Sequence, residues 1–228
     1  MIFMNTAFLS KTLLFQGIRE HEIETMLRCL GAHEKEYKKG QTIYQAGQTV
    51  KDLGLVLSGG VNIVVYDYWG NSTIFSHIAP GQIFAETYSA MGREELLVNV
   101  IADQDSHILF VDTYKLMTTC QHACPYHQRA IHNLIRISAQ KNLNLSKRML
   151  HTAPKSIRGR LVSYLSEQAL QHGTNRFYIP FSRQQLADYL GVDRSALSNE
   201  LSKMQKDGLL QYHKNEFILT SWDEKNLA

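Results

Sequence analysis

The chain has 228 residues, of which 44% are hydrophobic and 20% are charged. This length suits one large domain or two smaller ones, and the apolar fraction is sufficient for well-packed cores. No apolar run reaches the roughly 18 residues that a membrane helix needs, so we expect no membrane partner. The N-terminus lacks the basic leader and small-residue cleavage site of a signal peptide, and three cysteines cannot form a disulfide scaffold. We therefore expect a cytoplasmic protein.

The net charge of +3 conceals an uneven distribution of charged side chains. Residues 1–112 contain 8 Lys/Arg and 13 Asp/Glu, residues 113–166 contain 9 Lys/Arg and no acidic residue, and residues 167–228 contain 7 and 8. A basic segment of this kind favours a nucleic-acid partner. The alternative is that the basic segment packs near the acidic N-terminal part, within or between chains, and both hypotheses can hold together.

From about Lys38 to Val111 the sequence predicts β-structure. Short runs rich in Val, Ile and Tyr alternate with glycines, and "YWGN" between two such runs is typical of a hairpin turn. Short strands with frequent turn signals predict an antiparallel barrel or sandwich. Apolar residues at helical spacing in "IREHEIETMLRCL" predict a short helix before it.

From Pro125 to about Met149 the sequence predicts one long helix, since it contains neither glycine nor a further proline. Residues at alternating steps of four and three form a heptad seam: Ile131, Ile135, Ser138, Asn142, Leu145 and Met149. Because its middle is polar, the seam predicts self-pairing, with Asn142 fixing the register of two chains. The alternative is a helix that packs only on its own sheet. Pro154 in "HTAPKS" then ends the helix, can sit in the first turn of the next one, and marks a candidate hinge.

The stretch from residue 182 to 204 carries helix signals at both ends of two short helices. Ser182 and Gln185 form a capping-box pattern, Gly191 is placed to end the first helix, and Asp193 is placed to cap the second. Leu197, Leu201 and Met204 fall on one side of the second helix. The opposite side carries only small polar or basic residues: Arg194, Ser195, Ser198, Asn199, Ser202 and Lys203.

Two helices joined by a short glycine-containing turn predict a helix-turn-helix, and the second helix has a slim hydrogen-bonding face that suits the DNA major groove. Two β runs follow, with a turn near Lys214–Asn215 that predicts a wing. The alternative is a helical hairpin whose polar face is simply solvated.

Over nearly its full length the sequence resembles the Crp/Fnr superfamily of bacterial transcription regulators. The resemblance is carried by "IPFSRQQLADYLGVDRSALSNELSKMQKDGLL", by "KKGQTIYQAGQ", "LVLSGGVNIVV" and "APGQIFAET" in the β region, and by "LIRISAQKNL" in the long helix. It implies an α+β fold with an N-terminal antiparallel, jelly-roll-like effector β-roll over residues 1–124, a dimerisation helix and hinge over 125–153, and a winged helix-turn-helix over 154–228.

The resemblance also implies a homodimer that binds double-stranded DNA at two half-sites about one helical turn apart, with RNA polymerase as a further partner. By position, Ser182 and Arg183 would contact phosphate, whereas Arg194, Ser195 and Asn199 would face bases. The best-known members have Glu and Arg at positions 195 and 199. The operator should therefore differ from theirs, with Arg194 as the guanine-reading residue.

In the same family the effector pocket would be formed by residues of the β-roll: Phe84, Ala85, Glu86, Tyr88, Leu96 and Leu97. Members that bind cyclic nucleotides place an Arg–Ser pair on the phosphate, and here Leu96 and Leu97 replace that pair. A buried phosphate without a cation is poorly compensated. We therefore predict an unidentified small effector other than cAMP.

Other sensing chemistries are alternatives. An iron–sulfur cluster is not expected, because only Cys29 precedes the β-roll. A haem would need an axial ligand, for which His77 is the candidate. In "CQHACPYH" the residues Cys120, Cys124 and His127 would share one helical face as metal ligands or a redox switch, unless the cysteines are simply buried hydrophobic residues.

Two further function classes stand beside a DNA-binding regulator. An enzyme is not expected, because the sequence has no nucleophile-elbow, phosphate-binding or zinc-protease motif. A β-roll binding protein whose helices mediate only protein contacts is the other alternative.

Overall fold

A computed structural model describes residues 5–118 and 124–220. The chain divides into two compact units, residues 1–140 and 141–228, and the boundary falls inside the long helix. Within the described ranges, no helix combines the length and the hydrophobicity that a membrane crossing requires.

The first unit is built on two four-stranded antiparallel sheets, in the orders β1-β8-β3-β6 and β2-β7-β4-β5. The strands are β1 (His33–Tyr37), β2 (Thr42–Tyr44), β3 (Asp52–Ser58), β4 (Val61–Tyr66), β5 (Ser72–Ile78), β6 (Ile83–Phe84), β7 (Asn99–Ala102) and β8 (Ser106–Asp112). Gly59 and Gly60 carry the chain from one sheet to the other between β3 and β4. Gly59 has a φ of +83°, and a Cβ there would lie 2.3 Å from the Ser106 hydroxyl, so the crossing needs glycine.

Aromatic rings fill the space between the two sheets. Phe110 contacts Tyr37, Tyr44 and Phe84, with ring centroids 5.8–6.5 Å apart and edge-to-face geometry. The Phe84 ring lies directly on Gly54 of β3, where a Cβ would come within 2.1 Å of it. The core between the sheets therefore combines these rings with buried aliphatic side chains, among them Val56, Val61 and Ile108.

Four short helices accompany the sheets of the first unit. They are α1 (Thr6–Leu9), α2 (Glu20–Cys29), α3 (Glu86–Met91) and α4 (Thr113–Met117). The predicted lead-in helix is α2, whose Ile23, Met26 and Leu27 are buried against the outer side of the first sheet. The other three are too short for the apolar periodicity that indicates a helix in sequence.

The long helix α5 spans Pro125–Thr152, which agrees with the predicted start and extends slightly beyond the predicted end. In the first unit, Ala130 and Leu134 pack into the core beneath the sheets. The Asn133 side-chain amide donates to the carbonyls of Leu14 and Gln16, each at 3.0 Å. One face of this half of α5 thus packs against the rest of the first unit.

The second unit continues from α5 into α6 (Ile157–His172), β9 (Arg176–Tyr178), α7 (Arg183–Leu190), α8 (Arg194–Lys206), β10 (Leu210–His213) and β11 (Glu216–Leu219). The three strands form one antiparallel sheet in the order β10-β11-β9. The expectation that Pro154 sits in the first turn of the next helix is wrong. Ser156 caps α6 by accepting from the Gly159 amide, so Pro154 precedes the helix.

Candidate DNA-binding interface

Local sequence signals fix the two helices α7 and α8. The Ser182 hydroxyl accepts from the Gln185 amide, and the Gln185 side chain accepts from the Ser182 amide, which completes the predicted capping box. Gly191 ends α7 with a φ of +64°, and the Asp193 carboxylate accepts from the Ala196 amide at 2.8 Å to begin α8. Each of these helix ends therefore has a residue type that favours its cap geometry.

Helix α8 has one buried side and one exposed side. Leu197, Leu201 and Met204 are buried in the core of the second unit. The predicted DNA-facing set lies on the other side, with Arg194, Ser195, Asn199, Ser202 and Lys203 exposed and Ser198 partly buried. The Ser202 hydroxyl donates to the Ser198 carbonyl at 3.1 Å. Arg194 and Asn199 are therefore exposed on the face of α8 that the sequence predicts to meet DNA.

Acidic side chains near α8 are neutralised from the side opposite to that face. Glu200 accepts from Arg158 Nε at 2.6 Å, and Asp207 lies 2.7 Å from Arg158 Nη2. The hydrogen bond to Glu200, followed by that to Asp207, raises the pKa of Arg158. One arginine of α6 thus holds α8 in place and offsets part of the negative charge that would oppose phosphate.

The predicted phosphate contact Arg183 is engaged with the wing formed by β10, β11 and their turn. Its guanidinium carbon lies 5.0 Å from the centre of the Tyr212 ring, and Nη2 donates to the Lys214 carbonyl at 3.0 Å. Burial lowers the pKa of Arg183. Arg183 holds the wing turn, and its phosphate contact stays a prediction.

Lys214 is a further candidate DNA contact, which the sequence prediction did not include. It is exposed at the tip of the wing and adopts a left-handed backbone with a φ of +54°. The signal that could have found it was the Lys-Asn pair at the predicted turn. A lysine there can reach phosphate as a point charge.

The predicted seam of α5 is largely uncovered in the single chain. Ile135, Leu145 and Met149 are 62%, 52% and 70% exposed, and Ser138 and Asn142 are also exposed. Ile131 is partly buried. An exposed heptad stripe with apolar ends and a polar middle on a 28-residue helix is a surface that a second helix would cover.

Comparison with known proteins adds family evidence to this geometry. The cyclic nucleotide-binding domain family matches residues 34–123, and the Crp-like helix-turn-helix domain family matches residues 159–224. Together the two matches cover more than half of the chain, in the predicted order. The chain belongs to the Crp/Fnr superfamily.

Curated relatives agree with this assignment. Electron transport regulator A of Shewanella oneidensis is 24% identical over 200 residues, which cover 85% of this chain and 77% of the relative. The transcriptional activator protein FnrA of Stutzerimonas stutzeri is 23% identical over 179 residues, covering 76% and 71%. These relatives are regulators, in agreement with the prediction that the protein is not an enzyme.

A solved structure extends the agreement to the fold. The c-di-GMP-responsive global regulator CLP of Xanthomonas campestris is similar with a TM-score of 0.54 and 18% identity, covering 88% of this chain and 98% of CLP. At that identity the likeness concerns the fold alone. It supports the predicted α+β architecture of β-roll, long helix and winged helix-turn-helix.

The predicted effector-pocket residues differ in their exposure. Phe84, Glu86 and Leu96 are buried, and Ala85 and Tyr88 are partly buried, whereas Leu97 is 79% exposed. Leu97 is therefore the exposed member of this set, and the pocket formed by the six residues stays a prediction. Ala85 adopts a left-handed backbone with a φ of +60°.

One crevice in the first unit lies elsewhere. It has a volume of about 660 Å³ and is lined by α3, α4 and neighbouring residues: Lys51, Ser89, Ala90, Met91, Gly92, Asp112, Tyr114, Met117 and Thr118. It contains none of the six predicted pocket residues. The pocket assignment remains a prediction that the crevice does not support.

The candidate sensing residues are only partly within the described chain. Cys120 lies outside it, Cys124 is partly buried, and His127 is 3% exposed. Neither ring nitrogen of His127 has a hydrogen-bond partner among the described residues, and burial lowers its pKa. Within residues 5–118 and 124–220, no three His, Cys, Asp or Glu side chains form a group that could hold a metal.

The haem candidate His77 is already engaged through one ring nitrogen. Its Nδ1 lies 3.0 Å from Asn62 Oδ1 and 3.2 Å from Asp103 Oδ2. This environment matches that of a satisfied polar residue on a strand. It adds nothing specific to the haem hypothesis.

Proposed function

We propose that the protein is a dimeric transcription regulator that binds a two-fold symmetric operator through two α8 helices. The observation that carries this proposal is the exposed face of α8, where Arg194 and Asn199 project beside small serines and no acidic side chain shares the face. Arginine and asparagine can each form two hydrogen bonds with a purine edge in the major groove. Lys203 and the wing residue Lys214 would add phosphate contacts.

The proposed dimer rests on the uncovered seam of α5. Two such stripes would bury each other's Leu145 and Met149, and paired Asn142 side chains would fix the register. In the single chain the Ser146 hydroxyl donates to the side-chain Oδ1 of Asn142 at 3.3 Å, a long contact that a second Asn142 could replace. The two recognition helices would then be held at a fixed separation on DNA.

A charged substitution tests the dimer directly. Leu145→Lys should weaken self-association by at least about tenfold, because pairing would bury an unpaired charge. Leu143→Lys is the matched control, since Leu143 is also exposed but lies off the seam. Sedimentation at micromolar concentration measures both. Single chains of the wild-type protein, with and without duplex DNA, would rule out the dimer.

Unbiased selection of bound DNA tests the operator. We expect two inverted half-sites about one helical turn apart, with binding that weakens steeply as salt rises because phosphate contacts release counterions. Insensitivity to salt, or no enriched sequence, would instead favour a β-roll binding protein whose helices contact only proteins. The same regulator would act in the cytoplasm and meet RNA polymerase at its promoters.

The effector is proposed to be a small molecule other than cAMP. The leucines at positions 96 and 97 offer no cation to a cyclic phosphate, and the core of the roll is packed with aliphatic and aromatic side chains. The relative CLP is described as c-di-GMP responsive, so members of this fold take effectors beyond cAMP. Repeating the DNA selection with and without metabolite extract tests whether an effector is required.

A metal- or redox-responsive regulator is a second candidate. It is favoured by His127, a buried imidazole three residues after Cys124 whose two nitrogens have no hydrogen-bond partner in the part of the chain that the structure describes. Zinc titrated into the reduced protein should then change its DNA affinity, and the double variant Cys120→Ser/Cys124→Ser should abolish that change. Equal behaviour of both proteins would dismiss this function.

A further inference from the structure

The C-terminal end of α7 is held by two arginines from other helices. Arg148, near the end of α5, donates from Nε to the Tyr189 carbonyl and from Nη2 to the Asp188 carbonyl, both at 3.0 Å. Arg160 of α6 donates to the Leu190 and Gly191 carbonyls at 2.8 and 3.0 Å. Four consecutive carbonyls at the turn of the helix-turn-helix therefore accept from guanidinium groups.

These contacts complement the helix end in two ways. The last carbonyls of a helix have no partners within it, and the helix dipole makes that end negative. Arg148 and Arg160 supply both donors and positive charge, and charge-assisted hydrogen bonds are stronger than neutral ones. The Arg148 guanidinium also lies 5.8 Å from the centre of the Tyr189 ring.

His151, one turn further along α5, adds a second attachment to α7. Its Nδ1 lies 2.9 Å from the Tyr189 hydroxyl, and its Nε2 lies 2.7 Å from the Glu167 carboxylate of α6. The same carboxylate lies 2.8 Å from Lys147 Nζ. We call the contacts of Arg148 and His151 with α6 and α7 the joint. His151 is buried and both of its ring nitrogens have partners, although it begins the segment that the sequence predicts to be a hinge.

We propose that Arg148 and His151 are positioning residues that fix the recognition helix relative to the last turns of α5. The inference rests on the proposed function, because it concerns how two copies present their α8 helices to one operator. Neither residue lies on the exposed face of α8, and both contact α7, which packs against α8. Any effect of these residues on DNA recognition therefore comes from the orientation that they give to α7 and α8.

This role predicts a dependence on half-site spacing. If the joint sets the angle of each recognition helix, the wild-type dimer should prefer the selected spacing strongly over one lengthened by about half a helical turn, roughly 5 base pairs. Loosening the joint should remove that preference while each α8 still reads a single half-site. A residue that mattered only for folding would reduce binding to every duplex alike.

The experiment uses the full-length dimer and three duplexes: the selected operator, the same operator with lengthened spacing, and a single half-site. Arg148→Met keeps the aliphatic stem and removes the donors, so operator affinity should fall about tenfold and the spacing preference should disappear. Single half-site affinity should stay within about twofold. His151→Leu should act in the same direction, and Arg148→Lys should be intermediate. Lys155→Met, at an exposed loop position, controls for the loss of one positive charge.

The outcomes separate the two levels of the proposal. An unchanged spacing preference in Arg148→Met and His151→Leu, with sedimentation still reporting a dimer, would overturn the positioning role. An equal loss on all three duplexes would also overturn it. A wild-type protein without any preference between one and two half-sites would overturn the proposed function itself, and this inference with it.

Discussion

The interior of the β-roll and the outer face of α8 contrast in how their predicted functional residues are placed. In the roll, Phe84, Glu86 and Leu96 of the predicted pocket are buried within the protein, and the aromatic core occupies the interior. On α8, Arg194 and Asn199 are exposed. A site on a convex helix face follows from local periodicity, whereas a concave site depends on which distant side chains fill it. Functional residues can therefore be assigned by their position in a family more safely on α8 than in the roll.

The largest effect should come from disturbing the aromatic core. Gly54→Ala places a Cβ within 2.1 Å of the Phe84 ring, so we expect the free energy of unfolding to fall by about 3 kcal/mol, at the upper end of the usual cost of overpacking. Urea denaturation followed by tyrosine fluorescence measures it. The double variant Gly54→Ala/Phe84→Leu should recover part of the loss. A single variant as stable as wild type would mean that the roll interior has room for a ligand.

A change on α8 should instead leave stability intact and alter recognition. Arg194→Ala should lose about 1–3 kcal/mol of binding to the selected operator and relax one base position, because an arginine that bonds a guanine edge is replaced by a side chain without donors. Fluorescence anisotropy on operator and random duplexes measures the loss.

Lys206→Ala is the matched control for Arg194→Ala, since it removes one positive charge from the last turn of the same helix. It should weaken operator and random DNA alike. The same uniform loss for Arg194→Ala would assign that residue to phosphate.

A pH series distinguishes the two units through His127. Burial lowers its pKa in the folded state, so the neutral imidazole is favoured there and the stabilisation holds above the unfolded pKa of about 6.5. It is lost as the pH falls below that value. The free energy of unfolding of the first unit should decrease between about pH 7 and pH 5, and His127→Leu should lack this part of the slope. An identical slope in the variant would show that His127 does not cause this part of the pH dependence.

The smallest effect concerns the backbone beside the predicted pocket. Ala85 occupies the left-handed region, which is costly for a residue with a Cβ, so Ala85→Gly should raise the free energy of unfolding by about 0.5–1 kcal/mol. Ala90→Gly, on the same short helix α3, is the matched control and should lower it by about 0.5–1 kcal/mol. Thermal denaturation compares them. Two changes of the same sign would show that strain at Ala85 is negligible.

Sequence alone could predict the elements whose signals are local. The caps at Ser182, Gly191 and Asp193 and the apolar spacing on α8 define both helices, because each signal acts within one or two turns. The same holds for α5, whose heptad spacing and flanking prolines set its length. The alternation of strands and glycines indicated a β-roll, but not that Gly59 and Gly60 carry the chain between two sheets.

The amino-acid sequence by itself determined the order of domains, the two helices of the DNA-binding motif and the seam of α5, since short-range hydrogen bonding and periodicity encode them. Only the tertiary structure decided that Phe84 fills the roll against Gly54, that Arg183 holds the wing, and that Arg148 grips the end of α7. These contacts join residues about 30 to 40 positions apart. No local pattern specifies such partners, because they meet only when packing has brought their elements together.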